Sequence, residues 1–180
     1  MSFLPKQTGG SLAIVAALFI TTATGATAAE KPSWIWGAGS AKDNETVYFR
    51  KVISLNKPTQ SAKLTLSCDN GFEAFVNGKK VLAGGDWNNA RTADVKKHLN
   101  VGRNVIAVRG WNEGGPAGLV GQLDIASSTS RHKIVNTDES WRSSRSKVAG
   151  WETPGFDANG WKNSRKVGSL GVSPWGNVFA

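Results

Sequence analysis

The chain has 180 residues, a formal net charge of +9 and a single cysteine. This length suits one domain with an ordinary core, and one cysteine excludes an intramolecular disulfide framework. The basic residues are scattered, without a run of five or six and without a helix that would present a basic face. The composition therefore argues against specific nucleic-acid binding, while the summed positive field permits attraction to an acidic polymer or another anionic partner.

The N-terminus has the pattern of a secretory signal peptide over residues 1–28. Lys6 precedes the apolar run Leu12 to Ile20, and Ala26-Thr27-Ala28 matches the A-x-A cleavage pattern. A retained membrane anchor is the alternative, but the run falls short of the roughly 20 residues that span a bilayer. We therefore predict an exported protein, periplasmic or extracellular, with one domain over residues 29–180 and no membrane span after cleavage.

Strand signals follow in short, regularly spaced runs bounded by turn residues, which is typical of an all-β antiparallel β-sandwich. The runs are Trp34–Trp36, Val47–Ile53, Ala62–Cys68, Phe72–Val76, Val81–Ala83, Val105–Arg109 and Leu119–Ile125. Glycines separate the later runs, and their frequency excludes long helices.

Three local patterns refine this prediction. Asn77-Gly78 supplies a type I′ turn, so the runs on either side of it should pair as a hairpin. Residues 105–109 are largely apolar on both faces, as expected for a central strand. Asp94 should cap a single helical turn over residues 95–99, ended by Gly102. Cys68 shares a strand face with Leu64 and Leu66 and is predicted to be a small buried hydrophobe.

The order of these motifs resembles the galactose-binding-like jelly rolls attached to bacterial glycosidases, above all the non-catalytic sugar-binding domains of α-L-rhamnosidases. The motifs are Trp34-Ile35-Trp36, Tyr48-Phe49-Arg50-Lys51, the strand ending at Asp69-Asn70, Phe75-Val76-Asn77-Gly78-Lys79, Gly102-x-Asn104-Val105-Ile106-Ala107-Val108, and a tail with Trp141, Trp151, Trp161 and Trp175. The resemblance implies a jelly roll over nearly all of the mature chain. It does not by itself imply a ligand, because a shared fold is only an associational warrant for function.

Asp69 and Asn70 are the first candidate ligand-binding residues. They stand at a strand end before Gly71, and carboxylate and amide groups pair well with sugar hydroxyls. Related rhamnose-binding modules use an Asp-Asn pair at the matching turn, in some cases with Ca²⁺, so the resemblance assigns sugar contact and a candidate calcium site to Asp69 and Asn70. The competing interpretation is an ordinary Asp-Asn-Gly turn.

Two further loops could complete a site at the same end of the sandwich. Asp86 and Trp87 follow a glycine pair, and Trp111, Asn112 and Glu113 follow the predicted strand that ends at Arg109. An indole can serve as a platform for the apolar face of a sugar ring. Each residue also has a structural alternative, since Trp87 or Trp111 could cover the core and Asn112 could satisfy loop backbone. The other six Trp residues are predicted to be core.

The sequence favours a binding protein over an enzyme. It contains no G-x-S-x-G elbow, no H-E-x-x-H, no P-loop and no C-x-x-C, and its two histidines lack metal-ligand spacing. Asp69, Asp86 and Glu113 could in principle form a glycosidase pair, but short loops promise no deep cleft. Two hypotheses stay open: a secreted carbohydrate-binding module, or a structural or adhesion protein of the cell envelope that binds a protein or polymer partner.

Overall fold

The computed structural model describes residues 1–2, 30–127 and 132–180. The predicted signal peptide therefore lies outside the described residues, apart from Met1 and Ser2. In the described part of the chain, strands and loops make up almost the whole structure, with one short 3₁₀ turn at Lys96–His98. No helix among these residues is long and apolar enough to cross a membrane.

Twelve strands form among the described residues and assemble into two antiparallel sheets. They are β1 (Ser33–Trp36), β2 (Glu45–Leu55), β3 (Thr59–Asp69), β4 (Gly71–Val76), β5 (Lys79–Gly84), β6 (Arg91–Asp94), β7 (Gly102–Asn112), β8 (Gly118–Ser127), β9 (His132–Asn136), β10 (Arg142–Ser144), β11 (Lys162–Asn163) and β12 (Arg165–Ser169). Sheet A has the order β12-β1-β8-β3-β6, with β9 also paired to β8, and sheet B has the order β11-β10-β2-β7-β4-β5. The predicted all-β antiparallel sandwich is confirmed.

The two sheets enclose one apolar core because alternate residues of each long strand point inward. Leu64, Leu66 and Cys68 of β3 face Phe49 of β2 and Val108 of β7 across this core, and all five are at least 98% buried. Burial raises the pKa of the Cys68 thiol, so the side chain acts as a small hydrophobe, as predicted.

The predicted local patterns are also present. β4 and β5 pair across the turn, with φ of 51° at Asn77 and 83° at Gly78, as a type I′ turn requires. β7 lies between β2 and β4, the central position that its apolar faces indicated. The predicted helical turn over residues 95–99 is a shorter 3₁₀ turn, Lys96–His98, with Val95 rather than Asp94 at its N-cap position. Asp94 Oδ1 nevertheless accepts the backbone N–H of Lys96.

The C-terminal third returns along the outside of the sandwich and covers both sheets. Trp151 and Trp161 pack on the outer face of sheet B against Tyr48, and Trp175 stacks on Trp34 at 4.5 Å over the outer face of sheet A. All six Trp residues that were predicted to be core are at least 92% buried. The short strands β6 and β9 to β12 were not predicted, because they are polar, partly exposed and set by pairing with distant partners.

Candidate functional site

The two ends of the sandwich carry different chemistry, and we name each after one residue. The Asp69 rim contains the ends of β3, β5 and β7 and the starts of β2, β4 and β8, since these strands pair antiparallel. The Lys57 rim is the opposite end, where β2 passes to β3 and β6 passes to β7. All seven predicted ligand-binding residues lie in strand ends or loops of the Asp69 rim.

Asp69 is, with Asn112, one of the two nearly buried residues among the seven. It ends β3 on the outer side of sheet A, is only 7% exposed, and accepts a 2.8 Å hydrogen bond at Oδ2 from the Trp175 indole N–H. Oδ1 takes no hydrogen bond from any described residue and is not sealed from solvent. Burial raises the pKa of the Asp69 carboxyl, although the Trp175 bond opposes this shift. Asp69 therefore presents one free acceptor oxygen at a largely dry position.

Trp175 is held in place by a close indole stack. A Cβ on Gly118 would lie 2.8 Å from Trp34 and 3.3 Å from Trp175, so glycine leaves the room that the two rings need. The stack brings the Trp175 N–H to Asp69 from a position 106 residues later in the chain. The carboxylate thus has a structural role beside any role in binding.

Asn70 joins the end of β3 to the loop after β7. Its backbone N–H donates to the Trp111 carbonyl at 2.8 Å, and its Oδ1 accepts the Glu113 N–H at 2.7 Å. The peptide bond between Asp69 and Asn70 is cis. The structure therefore brings Asp69, Asn70 and Glu113 together, as the sequence predicted. The Glu113 side chain is exposed.

Asn112 is a support rather than an exposed contact. It is 1% exposed, donates from Nδ2 to the Lys42 carbonyl at 3.0 Å, and accepts the Gly114 N–H at 3.3 Å. These bonds satisfy the backbone of two loops, which is the structural alternative foreseen for this residue. They hold the loop of Glu113 against the loop before β2.

Trp87 lies on the same side of the rim as Asp69. The Ser67 hydroxyl, which is fully buried, donates to the Trp87 carbonyl at 2.6 Å, and the half-buried indole packs against the cluster of Trp34, Val120 and Trp175. The neighbouring Asp86 is exposed, and its Oδ1 accepts the Asn88 N–H at 3.0 Å. The Trp87 indole and the Asp69 carboxylate are therefore linked through Trp175, which packs in the cluster that Trp87 contacts and donates its N–H to Asp69.

Trp111 faces the other way, outward from sheet B. A Cβ on Gly71 would lie 2.3 Å from the Trp111 ring, so the indole rests directly on that glycine, and the Arg109 guanidinium lies 5.3 Å from the ring centroid. Trp111, Glu113 and the loop residue Asn44 border an open depression of about 330 Å³. Trp87 and Trp111 thus lie on opposite sides of the rim and do not form one platform.

The loop before β2 is fixed by Glu45, which the sequence analysis missed. Its carboxylate accepts bonds from the Trp36 indole at 2.7 Å, from the Lys42 N–H at 2.8 Å and from Arg145 Nε at 2.6 Å. Burial alone would raise the pKa of Glu45, but the bonds from Arg145, Trp36 and Lys42 outweigh it and lower the pKa. The predicted strand began at Val47 and did not include Glu45, and the partner Arg145 lies 100 residues away, so the sequence did not indicate this role.

The calcium prediction at Asp69 and Asn70 has the right donor chemistry but an incomplete donor set. Ca²⁺ takes six to eight oxygen ligands, and the pair offers the free Asp69 oxygen and a second lone pair of the Asn70 carbonyl. Within residues 1–2, 30–127 and 132–180, no group of three or more His, Cys, Asp and Glu could hold a metal. Backbone carbonyls, water or a bound ligand would have to supply the remaining oxygens, so calcium stays a prediction.

A larger depression lies away from the predicted residues. It measures about 530 Å³ and opens at the Lys57 rim between the ends of β2 and β8. Its size alone does not identify it as the sugar site, because neither an indole nor a carboxylate is found among its described lining residues.

Comparison with known proteins places the chain beside sugar-active and sugar-binding proteins. No family model matches it. The α-L-rhamnosidase of Streptomyces avermitilis is 32% identical over 167 residues, which cover 86% of this chain and 16% of the rhamnosidase. The crystal structure of the S. avermitilis enzyme with L-rhamnose superposes with a TM-score of 0.78 at 30% identity, over 83% of this chain and 16% of that one.

A fungal lectin gives an independent match. The lectin of Pleurotus ostreatus, solved in complex with GalNAc, superposes with a TM-score of 0.74 at 29% identity, over 82% of this chain and 44% of the lectin. The chain thus spans a small part of the rhamnosidase and less than half of the lectin. In sequence and fold it is a jelly-roll domain that resembles one segment of α-L-rhamnosidases and part of a sugar-binding lectin.

Proposed function

We propose that this chain is a secreted, non-catalytic carbohydrate-binding module that recognises terminal or short sugars at the Asp69 rim. The observation that carries the proposal is the free Oδ1 of the nearly buried Asp69, whose partner Trp175 belongs to the apolar cluster against which the half-buried Trp87 packs. A sugar hydroxyl that donates to Oδ1 replaces a hydrogen bond from water, so the contact favours binding modestly and gives it direction.

In the proposed complex, three groups contact the sugar. Asp69 accepts a hydrogen bond from a sugar hydroxyl, and Asn70 presents its amide at the adjoining position. The Trp87 indole covers the apolar face of the sugar ring. Asn112 holds the neighbouring loop, while Asp86 and Glu113 are exposed polar groups at the margin. Each hydrogen bond nets about 0.5–1.5 kcal/mol, so a few bonds and one ring give an affinity near the millimolar range.

Several features support a non-catalytic role. The three candidate carboxylates are spread over the rim, with Asp69 bonded to Trp175, Asp86 bonded to its own loop, and Glu113 beside an open depression of about 330 Å³. The chain also matches only 16% of the rhamnosidase. Purified protein should bind sugar without releasing reducing sugar from rhamnosides.

The test is calorimetric titration against a sugar panel that includes L-rhamnose and GalNAc. Trp87→Ala should abolish measurable binding, while Trp111→Ala, which removes a comparably buried indole on the other side of the rim, should leave it within about two-fold. Loss of binding in Trp111→Ala alone would move the platform to the sheet B side. Absence of binding to every sugar by a folded wild-type protein would refute the proposal.

A second candidate is a structural or adhesion protein of the cell envelope. The Trp175 bond to Asp69 and the two loop bonds of Asn112 favour it, since both residues have structural duties that do not need a sugar. Sugar-independent association with envelope material that survives both Trp87→Ala and Trp111→Ala would support this function.

A further inference from the structure

The Lys57 rim carries four lysines around two adjoining depressions that the proposed sugar site does not use. Two depressions, of about 530 Å³ and 400 Å³, open at this end and share Thr59 as a lining residue. Lys57 and Lys133 border the first, and Lys96 and Lys97 border the second. All four lysines are exposed. We call the two depressions together the Lys57 groove.

The charge of the groove is one-sided. No Asp or Glu is found among its described lining residues. Two carboxylates lie next to lining residues in the sequence or by contact: Asp94 accepts the Lys96 N–H, and Asp124 pairs with His132 at 3.1 Å. Four lysines and no described carboxylate line the two depressions, so the groove has an excess of positive charge that a polyanion would match.

The backbone of the groove is rigidly built. Asn104 is fully buried, and its side-chain amide donates from Nδ2 to the Asn100 carbonyl at 2.7 Å. Its Oδ1 accepts the Asn100 backbone N–H and the Asn77 Nδ2, each at 2.8 Å. Asn77 in turn donates to the His98 carbonyl at 2.8 Å. This network fixes the segment that follows Lys96 and Lys97, so the two charges are presented from an ordered loop.

The lining residues decide which polyanion fits. Neither Trp, Tyr or Phe nor Arg occurs among the described residues that line the groove. Binding of single-stranded nucleic acid relies on aromatic rings for base stacking, and bidentate phosphate recognition favours Arg. Lysines act as point charges, and Leu55, Leu99 and Val101 supply aliphatic surface between them. This combination suits a polymer with spaced single charges and apolar C–H faces.

We propose that the Lys57 groove binds an anionic polysaccharide that carries carboxylate groups. The inference goes beyond the proposed function because it places a second, charged ligand at the end of the sandwich opposite to the Asp69 rim. The two sites share no residue, so either can fail without the other.

The experiment measures binding of the purified protein to polygalacturonate at about 20 mM salt, with fully methyl-esterified polygalacturonate as the uncharged control of the same backbone. A lysine near an anionic surface contributes about five-fold in affinity, so Lys96→Gln/Lys97→Gln should weaken binding about 25-fold. Lys147→Gln/Lys166→Gln removes the same charge from exposed positions outside the groove and should change affinity by less than about two-fold.

Four results would overturn the proposal: equal losses in the two double variants, equal binding of the methyl ester, persistence of binding at 1 M salt, or tighter binding of a single-stranded oligonucleotide of matched charge. All substituted lysines are exposed, and circular dichroism checks that each variant is folded. Lys57→Gln/Lys133→Gln provides a second groove variant with the same expected loss. Trp87→Ala should retain polygalacturonate binding, which separates failure of this proposal from failure of the sugar site.

Discussion

Substitution of Asp69 by Asn separates the two duties of this carboxylate, its bond to Trp175 and its proposed contact with sugar. The amide keeps the size of the side chain and still offers a carbonyl oxygen to the Trp175 N–H, which in wild type donates to Oδ2 at 2.8 Å. It also removes a charge that burial disfavours, as the raised pKa of Asp69 shows. We therefore expect Asp69→Asn to fold with a free energy of unfolding within about 1 kcal/mol of wild type.

Asp69→Ala should behave differently because it leaves the Trp175 N–H without its partner. Loss of a hydrogen bond to a charged acceptor costs about 1.5–3 kcal/mol, and this bond lies between residues that are 7% and 5% exposed. In Trp175→Phe the N–H donor is absent, so the further change from Asp69 to Ala should cost much less than it does in wild type. A double-mutant cycle with Trp175→Phe should thus assign most of the Asp69→Ala loss to this one bond.

The pH dependence gives a second readout with a defined sign. The folded-state pKa of Asp69 is raised above its ordinary 3.8, so its contribution to stability is full below that value and is lost as the pH rises through the folded pKa. Relative to Asp69→Asn, wild type should therefore become less stable across this interval as the pH increases. Chemical unfolding at several pH values, with sugar titration at pH 7, measures both effects.

The stability and the sugar affinity of Asp69→Asn should change independently. Asp69→Asn should retain stability and lose sugar binding, because its amide can turn only one oxygen toward either Trp175 or the sugar. If Asp69→Asn were as unstable as Asp69→Ala, the carboxylate charge would be essential to the fold. If it bound sugar with wild-type affinity, the free Oδ1 would not be a contact.

Three further predictions concern the surroundings of the rim. Ser67→Ala removes the 2.6 Å bond to the Trp87 carbonyl and should weaken sugar binding about two- to ten-fold, whereas Ser143→Ala, which removes another buried hydroxyl, should only affect thermal stability. Glu45 has a lowered pKa, so its contribution to stability is present above its ordinary pKa of 4.5 and is lost as the pH falls through the folded pKa. Glu45→Gln should therefore lower the free energy of unfolding at pH 7 by about 1–3 kcal/mol and reduce the further loss of stability in acid. An unchanged dependence of stability on pH in acid would contradict this. Calcium should raise the thermal midpoint of wild type, reversibly with chelator, but not that of Asp69→Asn; an equal shift in both would place the ion elsewhere.

The sequence predicted those features that neighbouring residues determine. Asn77-Gly78 defined a hairpin because few residues adopt the two positive φ angles that the turn needs. Apolar and polar residues alternate in β3, which indicated its buried face, and β7 is apolar on both faces, which indicated that both are buried. The placement of the polar loops at one end of the sandwich also followed, since antiparallel strands bring alternate loops to the same rim.

The sequence could not predict contacts made by the returning tail. Asp69 and Trp175 are 106 residues apart, and neither strand pattern nor spacing shows that an indole would occupy one carboxylate oxygen. Sheet register also separated Trp87 from Trp111: the first packs outside sheet A and the second lies outside sheet B. A shift of one residue in the pairing of a strand would turn its Trp side chain to the opposite face of the sheet. The positions of the two indoles therefore depend on strand pairing that local sequence does not encode.

The distance between the two rims governs how their ligands would interact. β3 runs from Thr59 at one rim to Asp69 at the other, and its 11 residues span about 35 Å at roughly 3.3 Å per residue. This exceeds the screening length of about 8 Å at physiological salt, so a polyanion at the Lys57 groove changes the potential at Asp69 very little. The two binding free energies should then be additive on one molecule. A glycan that offers both uronates and a terminal sugar would nevertheless bind more tightly through both rims, provided its chain covers that span, because the second contact becomes intramolecular.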